Sequence, residues 1–169
     1  LQELGRLEEA EASYRKAIAL KPDYAEAYNN LGNTLQELVR LKDAEASYRQ
    51  AISLKPDYAK AHSNLGNTLR DFGRLEEAEA SYRQAIALKA DYAEAHSNLG
   101  ITLQELGRSK DAEASYRKAI ALKSDFAEAH SNLGITLQEL GRSKDAEASF
   151  RKAIALKSDY AEAHYNLGN

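Results

Sequence analysis

Four histidines, His62, His96, His130 and His164, stand 34 residues apart, and a regular row of imidazoles first suggests a metal. Their spacing argues against one. Equivalent helices in neighbouring copies of a repeat lie about 8–10 Å apart or more, whereas the ligands of one zinc ion sit about 2 Å from it, and the chain has no cysteine to complete a set. Packing is the expected role of these histidines, and Tyr28 holds the same place in an earlier copy. Serines are numerous, yet none sits in a Gly-x-Ser-x-Gly turn of the kind that exposes a nucleophile. The glutamates recur too evenly to give one pair of carboxylates with separated roles. The glycines fall at only two places in the period, so no glycine-rich loop exists to cradle phosphate. No catalytic residue, metal site or cofactor is expected, and the chain is not expected to be an enzyme. Asparagine is the informative residue: Asn30, Asn64, Asn98, Asn132 and Asn166 recur at one place. A carboxamide both donates and accepts, so a row of them can pair with the main chain of an extended ligand largely regardless of its side chains.

The elements that must position this row are legible from periodicity. Numbering each copy from Ala25, Ala59, Ala93, Ala127 and Ala161 gives positions 1–34 with no insertion or deletion. Apolar or small residues at positions 3, 4, 7, 8, 11 and 14, as across residues 93–106, form one helical stripe. Glycine follows at position 15 (Gly5, Gly73, Gly107, Gly141), where a left-handed backbone ends a helix cheaply. A second stripe runs through Ala112, Tyr116, Ala119, Ile120 and Leu122 and their equivalents. The link to the next copy carries lysine, suited to the negative end of a helix dipole. It also carries Asp23, Asp91, Asp125 or Asp159 three residues before Glu26, Glu94, Glu128 or Glu162, which predicts capping boxes. Proline is lost from the link after Pro56, and more play is expected there.

Two positions are expected to carry a cost. Gly32, Gly66, Gly100, Gly134 and Gly168 lie within the first helix, where glycine costs about 1 kcal/mol relative to alanine; close approach of the paired helix, with Ala44, Ala78, Ala112 and Ala146 facing and Tyr48, Tyr82 and Tyr116 filling the adjacent space, is the expected compensation. Val39 occupies position 15, where a β-branched residue is strained if the backbone is left-handed. Whole repeats run 25–58, 59–92, 93–126 and 127–160, flanked by partial repeats 1–24 and 161–169, and the whole of 1–169 is read as a single array without linker or second domain. Both ends cut through a first helix. The absence of any methionine suggests a fragment or a processed chain.

Composition narrows the partners. The net charge is −3 with both signs interspersed, so no basic face exists to neutralise phosphates, and nucleic acid is not an expected partner. Apolar runs reach only a few residues, far short of the roughly 20 that span a bilayer; no membrane association is expected. Zero cysteine fits a reducing compartment, and a cytoplasmic location is the expectation.

A 34-residue pair of helices with His96, Leu99, Gly100, Leu103, Ala112, Tyr116 and Ala119 at their places in repeat 93–126 resembles the tetratricopeptide repeat (TPR) along the whole chain. Histidine stands for the family's usual tryptophan, Leu103 for tyrosine, and Ala90 or Ser124 for proline. The resemblance implies an all-α, right-handed superhelical solenoid of antiparallel helix pairs, whose concave groove is lined by the first helices and receives a peptide or protein segment. The asparagine row resembles the ladder in the superhelix of O-linked N-acetylglucosamine transferases, whose repeats also carry His-Ser-Asn-Leu.

On that reading the groove is lined by positions 2, 5, 6, 9, 12 and 13. It holds the five asparagines, Asn33 and Asn67 at position 9, Ile101 and Ile135 at the same position later, and Lys60 as the nearby cation. Ser97 and Glu94 are expected to face it. Asn29, Asn98 and Glu94 stand where the family's carboxylate-clamping domains need basic residues, so neutral or basic extended segments are expected rather than acidic C-termini. Three functions follow: a protein–protein interaction scaffold binding an extended segment through the ladder; the substrate-recruiting arm of a larger, glycosyltransferase-like enzyme; and head-to-tail self-association in which residues 161–169 and 1–4 together nearly complete one first helix.

Overall fold

The computed structural model describes residues 2–168, which form ten helices in two compact bodies divided between Lys89 and Ala90. Leu1 and Asn169, which the self-association reading uses, lie outside the described residues. The first body contains α1 (Gln2–Leu20), α2 (Ala25–Glu37), α3 (Leu41–Leu54), α4 (Ala59–Asp71) and α5 (Leu75–Leu88). Helix α2 pairs with α3 and α4 with α5, while α3 packs on α4, α1 on α2, and α2 touches α4. The second body contains α6 (Ala93–Glu105), α7 (Ser109–Leu122), α8 (Ala127–Glu139), α9 (Ser143–Leu156) and α10 (Ala161–Leu167), with the pairs α6–α7 and α8–α9, the joining contacts α7–α8 and α9–α10, and direct contact of α6 with α8. The connections within pairs are three residues long, which makes the paired helices antiparallel.

Each pair closes around one aromatic ring. Tyr48, Tyr82, Tyr116 and Phe150 are essentially without solvent contact and lie flat against the mid-helix glycine of the partner. A Cβ added to Gly32 would meet Tyr48 Cε1 at 2.5 Å, and one added to Gly100 would meet Tyr116 Cε1 at 2.7 Å. The close approach expected at Gly32, Gly66, Gly100 and Gly134 is therefore present, with the aromatic ring filling the space, whereas Gly168 departs from the expectation as the C-cap of α10, with no ring against it. Leu35, Leu69, Leu103 and Leu137 are buried beside it, each contributing about 1.5–3 kcal/mol.

The turns follow one scheme. Gly73, Gly107 and Gly141 have φ of 72–73°. Arg74 N–H donates to Leu69 O at 2.9 Å and Gly73 N–H to Arg70 O at 2.7 Å, the paired bonds of a Schellman ending. Val39 adopts the same left-handed backbone, φ 60°, with Arg40 N–H on Leu35 O at 2.8 Å and Val39 N–H on Gln36 O at 2.9 Å. The repeat thus imposes its turn on a residue that resists it. Gly5 departs from the expectation: it lies inside α1.

The capping boxes do not form. The N-cap positions are Tyr24, Tyr58, Tyr92, Phe126 and Tyr160, none with a side-chain cap. The aspartates sit one residue too early, in a backbone turn closed by Tyr58 N–H to Lys55 O at 3.1 Å and its equivalents. Glu26 instead accepts from Lys55 at 3.0 Å and Glu94 from Lys123 at 3.4 Å. The link lysines also lie over the aromatic N-cap, Lys55 Nζ 5.0 Å from the Tyr58 centroid and Lys123 Nζ 4.8 Å from that of Phe126, within cation–π range. Lys55, before proline, has φ −139° and ψ 85°, and Lys123, before serine, −140° and 91°. One link conformation serves with or without proline.

Candidate functional site

Steps of four, three and four residues return to the same side of a 3.6-residue helix, so positions 2, 6, 9 and 13 of each first helix form one stripe. In the first body this stripe carries Glu26, Asn30, Asn33 and Glu37 on α2 and Lys60, Asn64, Asn67 and Asp71 on α4. Its asparagines are half-buried, and Glu37, Lys60 and Asp71 are exposed. Position 5 is different. Asn29 and Ser63, like Ser97 and Ser131 in the second body, are buried, because position 5 faces the seam between consecutive first helices. Ser97 is therefore a packing residue and does not face the open stripe.

The asparagines of the first body bond to each other across that seam. Asn64 Nδ2 donates to Asn29 Oδ1 at 3.0 Å and to Asn33 Oδ1 at 2.9 Å, and Asn29 Nδ2 donates to Asn30 Oδ1 at 3.3 Å. Tyr48 Oη donates to Asn33 Oδ1 at 2.8 Å or Gln36 Oε1 at 3.1 Å, and Tyr82 Oη to Asn67 Oδ1 at 2.7 Å. Burial raises the Tyr48 pKa far above the ordinary phenol value, which keeps its proton available for these bonds. Both amide protons of Asn64 are thus committed, while its Oδ1 remains open. The stripe ends in a hollow of about 520 Å³ lined by Asn33, Gln36, Glu37, Asp71, Val39 and Leu41.

The second body carries the same stripe with isoleucine in place of asparagine at position 9 and with glutamate where α4 has Lys60. Positions 2, 6, 9 and 13 are Glu94, Asn98, Ile101 and Glu105 on α6 and Glu128, Asn132, Ile135 and Glu139 on α8. Where Asn29 and Asn33 bind Asn64, the equivalents facing Asn132 are Ser97 and Ile101, and Asn132 makes no side-chain hydrogen bond among the described residues. The two isoleucines are half-buried. Gln104 Nε2 donates to Glu139 Oε1 at 2.6 Å and Ser109 Oγ to Glu139 Oε2 at 2.9 Å, fixing that carboxylate; Glu105 and Glu128 have no ion pair or side-chain hydrogen bond among the described residues. On α10, Asn166 is half-buried and its carbonyl accepts from Gln138 Nε2 at 3.4 Å.

The histidines close the links. Nε2 of His62, His96, His130 and His164 lies 3.0–3.2 Å from the carbonyl six residues earlier, on Pro56, Ala90, Ser124 and Ser158 respectively. Burial lowers the pKa values of His96 and His130, partly opposed by that carbonyl bond, so the neutral ring with Nε2 protonated is the bound form. No three metal-binding side chains gather among the described residues.

Sequence reasoning missed a second series of contacts. Arg40 Nη1 donates to Glu11 at 2.8 Å and its Nη2 to Asp43 at 2.7 Å. Arg74 likewise joins Glu45 to Glu77, and Arg142 joins Glu113 to Asp145. Each of these three arginines clamps the second helix of the preceding repeat to its own. The signal was present as arginine at position 16 and glutamate at position 21 in every copy. The Gln36 and Gln104 carboxamides were a second omission: position 12 was expected to line the groove, yet both accept from the buried tyrosine beneath, Tyr116 Oη lying 3.3 Å from Gln104.

TPR repeat profiles match residues 1–39, 66–107, 105–141 and 139–169, and tetratricopeptide repeat profiles match 25–58 and 47–80. The chain belongs to the TPR family. No curated protein matches it. Among solved structures, this TPR chain is similar to MamA, with 26% identity over 95% of this chain and 94% of that one and a TM-score of 0.84. PilW, a widely conserved type IV pilus biogenesis factor, is 27% identical over 96% of this chain and 79% of that one, TM-score 0.85. YrrB, a TPR protein with an unusual peptide-binding site, shares the fold at 24% identity over 100% of this chain and 87% of that one, TM-score 0.81. No helix among the described residues is long and apolar enough to cross a membrane.

Proposed function

We propose that this TPR chain is a protein-interaction scaffold, without catalysis of its own, that binds an extended peptide or protein segment along the stripe of its first helices. The carboxamides at position 6 pair with the ligand main chain. The observation that carries this reading is Asn132, half-buried with both donor and acceptor uncommitted and with Ile135 one turn further along the same face. Its amide atoms are not among the buried unpaired ones, so they are open to a ligand, and a peptide group supplies the complementary donor and acceptor. In the first body, Asn64 offers only its acceptor, so that half contributes less per residue. YrrB, whose fold is shared, carries a peptide-binding site of its own.

A peptide-display screen followed by fluorescence anisotropy tests the reading. Asn132→Ala should weaken the selected peptide about tenfold, the effect of roughly 1.4 kcal/mol, with the melting temperature unchanged. Equal affinity in the wild type and the variant would remove the ladder.

A further inference from the structure

Resting on the reading of the first-helix stripe as a peptide site, we infer that the α6–α8 face selects a positively charged extended segment with aliphatic side chains. Ile101 and Ile135 are the apolar members of a stripe whose other copies carry asparagine at that position, and both keep part of their surface exposed. Beside them, Glu105 follows Ile101 by one helical turn and Glu128 precedes Asn132 by one turn. Neither carboxylate has a cationic partner among the described residues. Glu94, by contrast, is paired with Lys123, and Glu139, which follows Ile135 by one turn, is hydrogen-bonded only by the neutral groups of Gln104 and Ser109 and keeps its charge. No lysine or arginine occurs at positions 2, 6, 9 or 13 of α6 or α8. The face thus presents two aliphatic contacts, one open carboxamide and three unneutralised negative charges, two of them without a hydrogen-bond partner among the described residues, a pattern that complements lysine or arginine and repels an acidic segment.

Spacing sets the register of the ligand. Packed helices such as α6 and α8 are about 8–10 Å apart, and an extended or polyproline chain advances about 3.1–3.3 Å per residue. Ile101 and Ile135 therefore address side chains three residues apart, which lie on one side of a polyproline helix of three residues per turn. Basic residues between or beside them reach Glu105 and Glu128.

The test uses four synthetic peptides of about twelve residues, long enough to span both helices at that rise, measured by anisotropy at low salt. One has leucine at every third place with lysine between; in the others glutamate replaces lysine, glutamine replaces lysine, or the leucines are moved to every second place. The lysine peptide with three-residue spacing should bind at least about tenfold more tightly than the glutamate or glutamine forms, and about threefold more tightly than the respaced form. Glu105→Gln with Glu128→Gln should remove most of the lysine preference, since exposed charge pairs each contribute modestly, and leave the melting temperature in place. Equal binding of the lysine and glutamine peptides, both sensitive to Asn132→Ala, would overturn the charge and side-chain selection while leaving main-chain recognition standing. Binding of none of the four, with a display-selected peptide still bound through Asn132, would likewise overturn the ligand class alone. If no extended peptide binds in an Asn132-dependent way, the underlying reading fails with it.

Discussion

Asn64 donates both of its amide protons across one seam, to Asn33 at 2.9 Å and to Asn29 at 3.0 Å, and the replacement of Asn29 by Ser97 and of Asn33 by Ile101 in the equivalent places leaves Asn132 with neither partner. Two substitutions in the repeat thus turn a structural carboxamide into an available one. Asn29→Ser with Asn33→Ile should release Asn64 in the same way and strand part of the Tyr48 hydroxyl bonding, costing about 1 kcal/mol, read by chemical denaturation. Ile101→Asn should do the reverse: stability unchanged or higher, and peptide affinity lower. A higher affinity would show that Asn132 is not the reader.

Gly100→Ala places a methyl group 2.7 Å from Tyr116 Cε1. The expected overpacking cost is roughly 1–3 kcal/mol, against which alanine recovers about 1 kcal/mol of helix propensity. A net loss of stability should appear in denaturation. It should largely vanish in the background of Tyr116→Leu, where the ring is gone, and additive effects of the two changes would mean the ring and the glycine are not coupled.

Val39→Gly relieves a left-handed backbone at φ 60° on a side chain that is 77% exposed, so no burial is lost. Strain of about 1–3 kcal/mol less glycine's entropic cost of about 0.5–1 kcal/mol predicts a net gain near 1 kcal/mol. A variant that melts no higher than the parent would mean that the turn tolerates valine without strain.

The stability of the second body should depend on pH through His96 and His130. Their folded pKa values are depressed by burial, so the neutral rings stabilise above the unfolded value of about 6.5, and that stability is lost as pH falls through the folded values. The carboxylates of Glu11 and Glu77 do not add to this window. Their pKa values are lowered by hydrogen bonds, from Arg15 and then Arg40 for Glu11 and from Arg74 for Glu77, which moves their own loss to lower pH. The melting temperature should drop between about pH 7 and pH 5. His96→Tyr with His130→Tyr, using the residue found at Tyr28, should flatten the drop; an unchanged profile would assign it elsewhere.

Much of the fold was legible because its determinants are local. The two helical stripes, the glycine turns and the 34-residue period put helix starts at Ala25, Ala59, Ala93, Ala127 and Ala161, where the helices do begin. The capping boxes were misread because aspartate and glutamate have the right separation but the wrong registration by one residue, and Lys55 and Lys123 offer the glutamates another partner. Histidine was read as packing, yet its bond to the link carbonyl depends on how the link folds back, which spacing does not reveal. At the site, the stripe itself was legible from helical geometry. What separates Asn64 from Asn132 was not, because it is decided by residues 31 to 35 positions away in sequence and by whether position 5 points to solvent or to the seam.

The central claim is that the ligand's main chain is read by carboxamides, and an N-methyl scan of the display-selected peptide tests it most directly. Methylation removes one amide proton at a time while leaving every side chain in place. The account predicts that methylation at the peptide amide opposite Asn132 weakens binding about tenfold or more, the loss of roughly 1.4 kcal/mol or above, and that the same methylation has no further effect in the Asn132→Ala protein. Full affinity at every methylated position would contradict it.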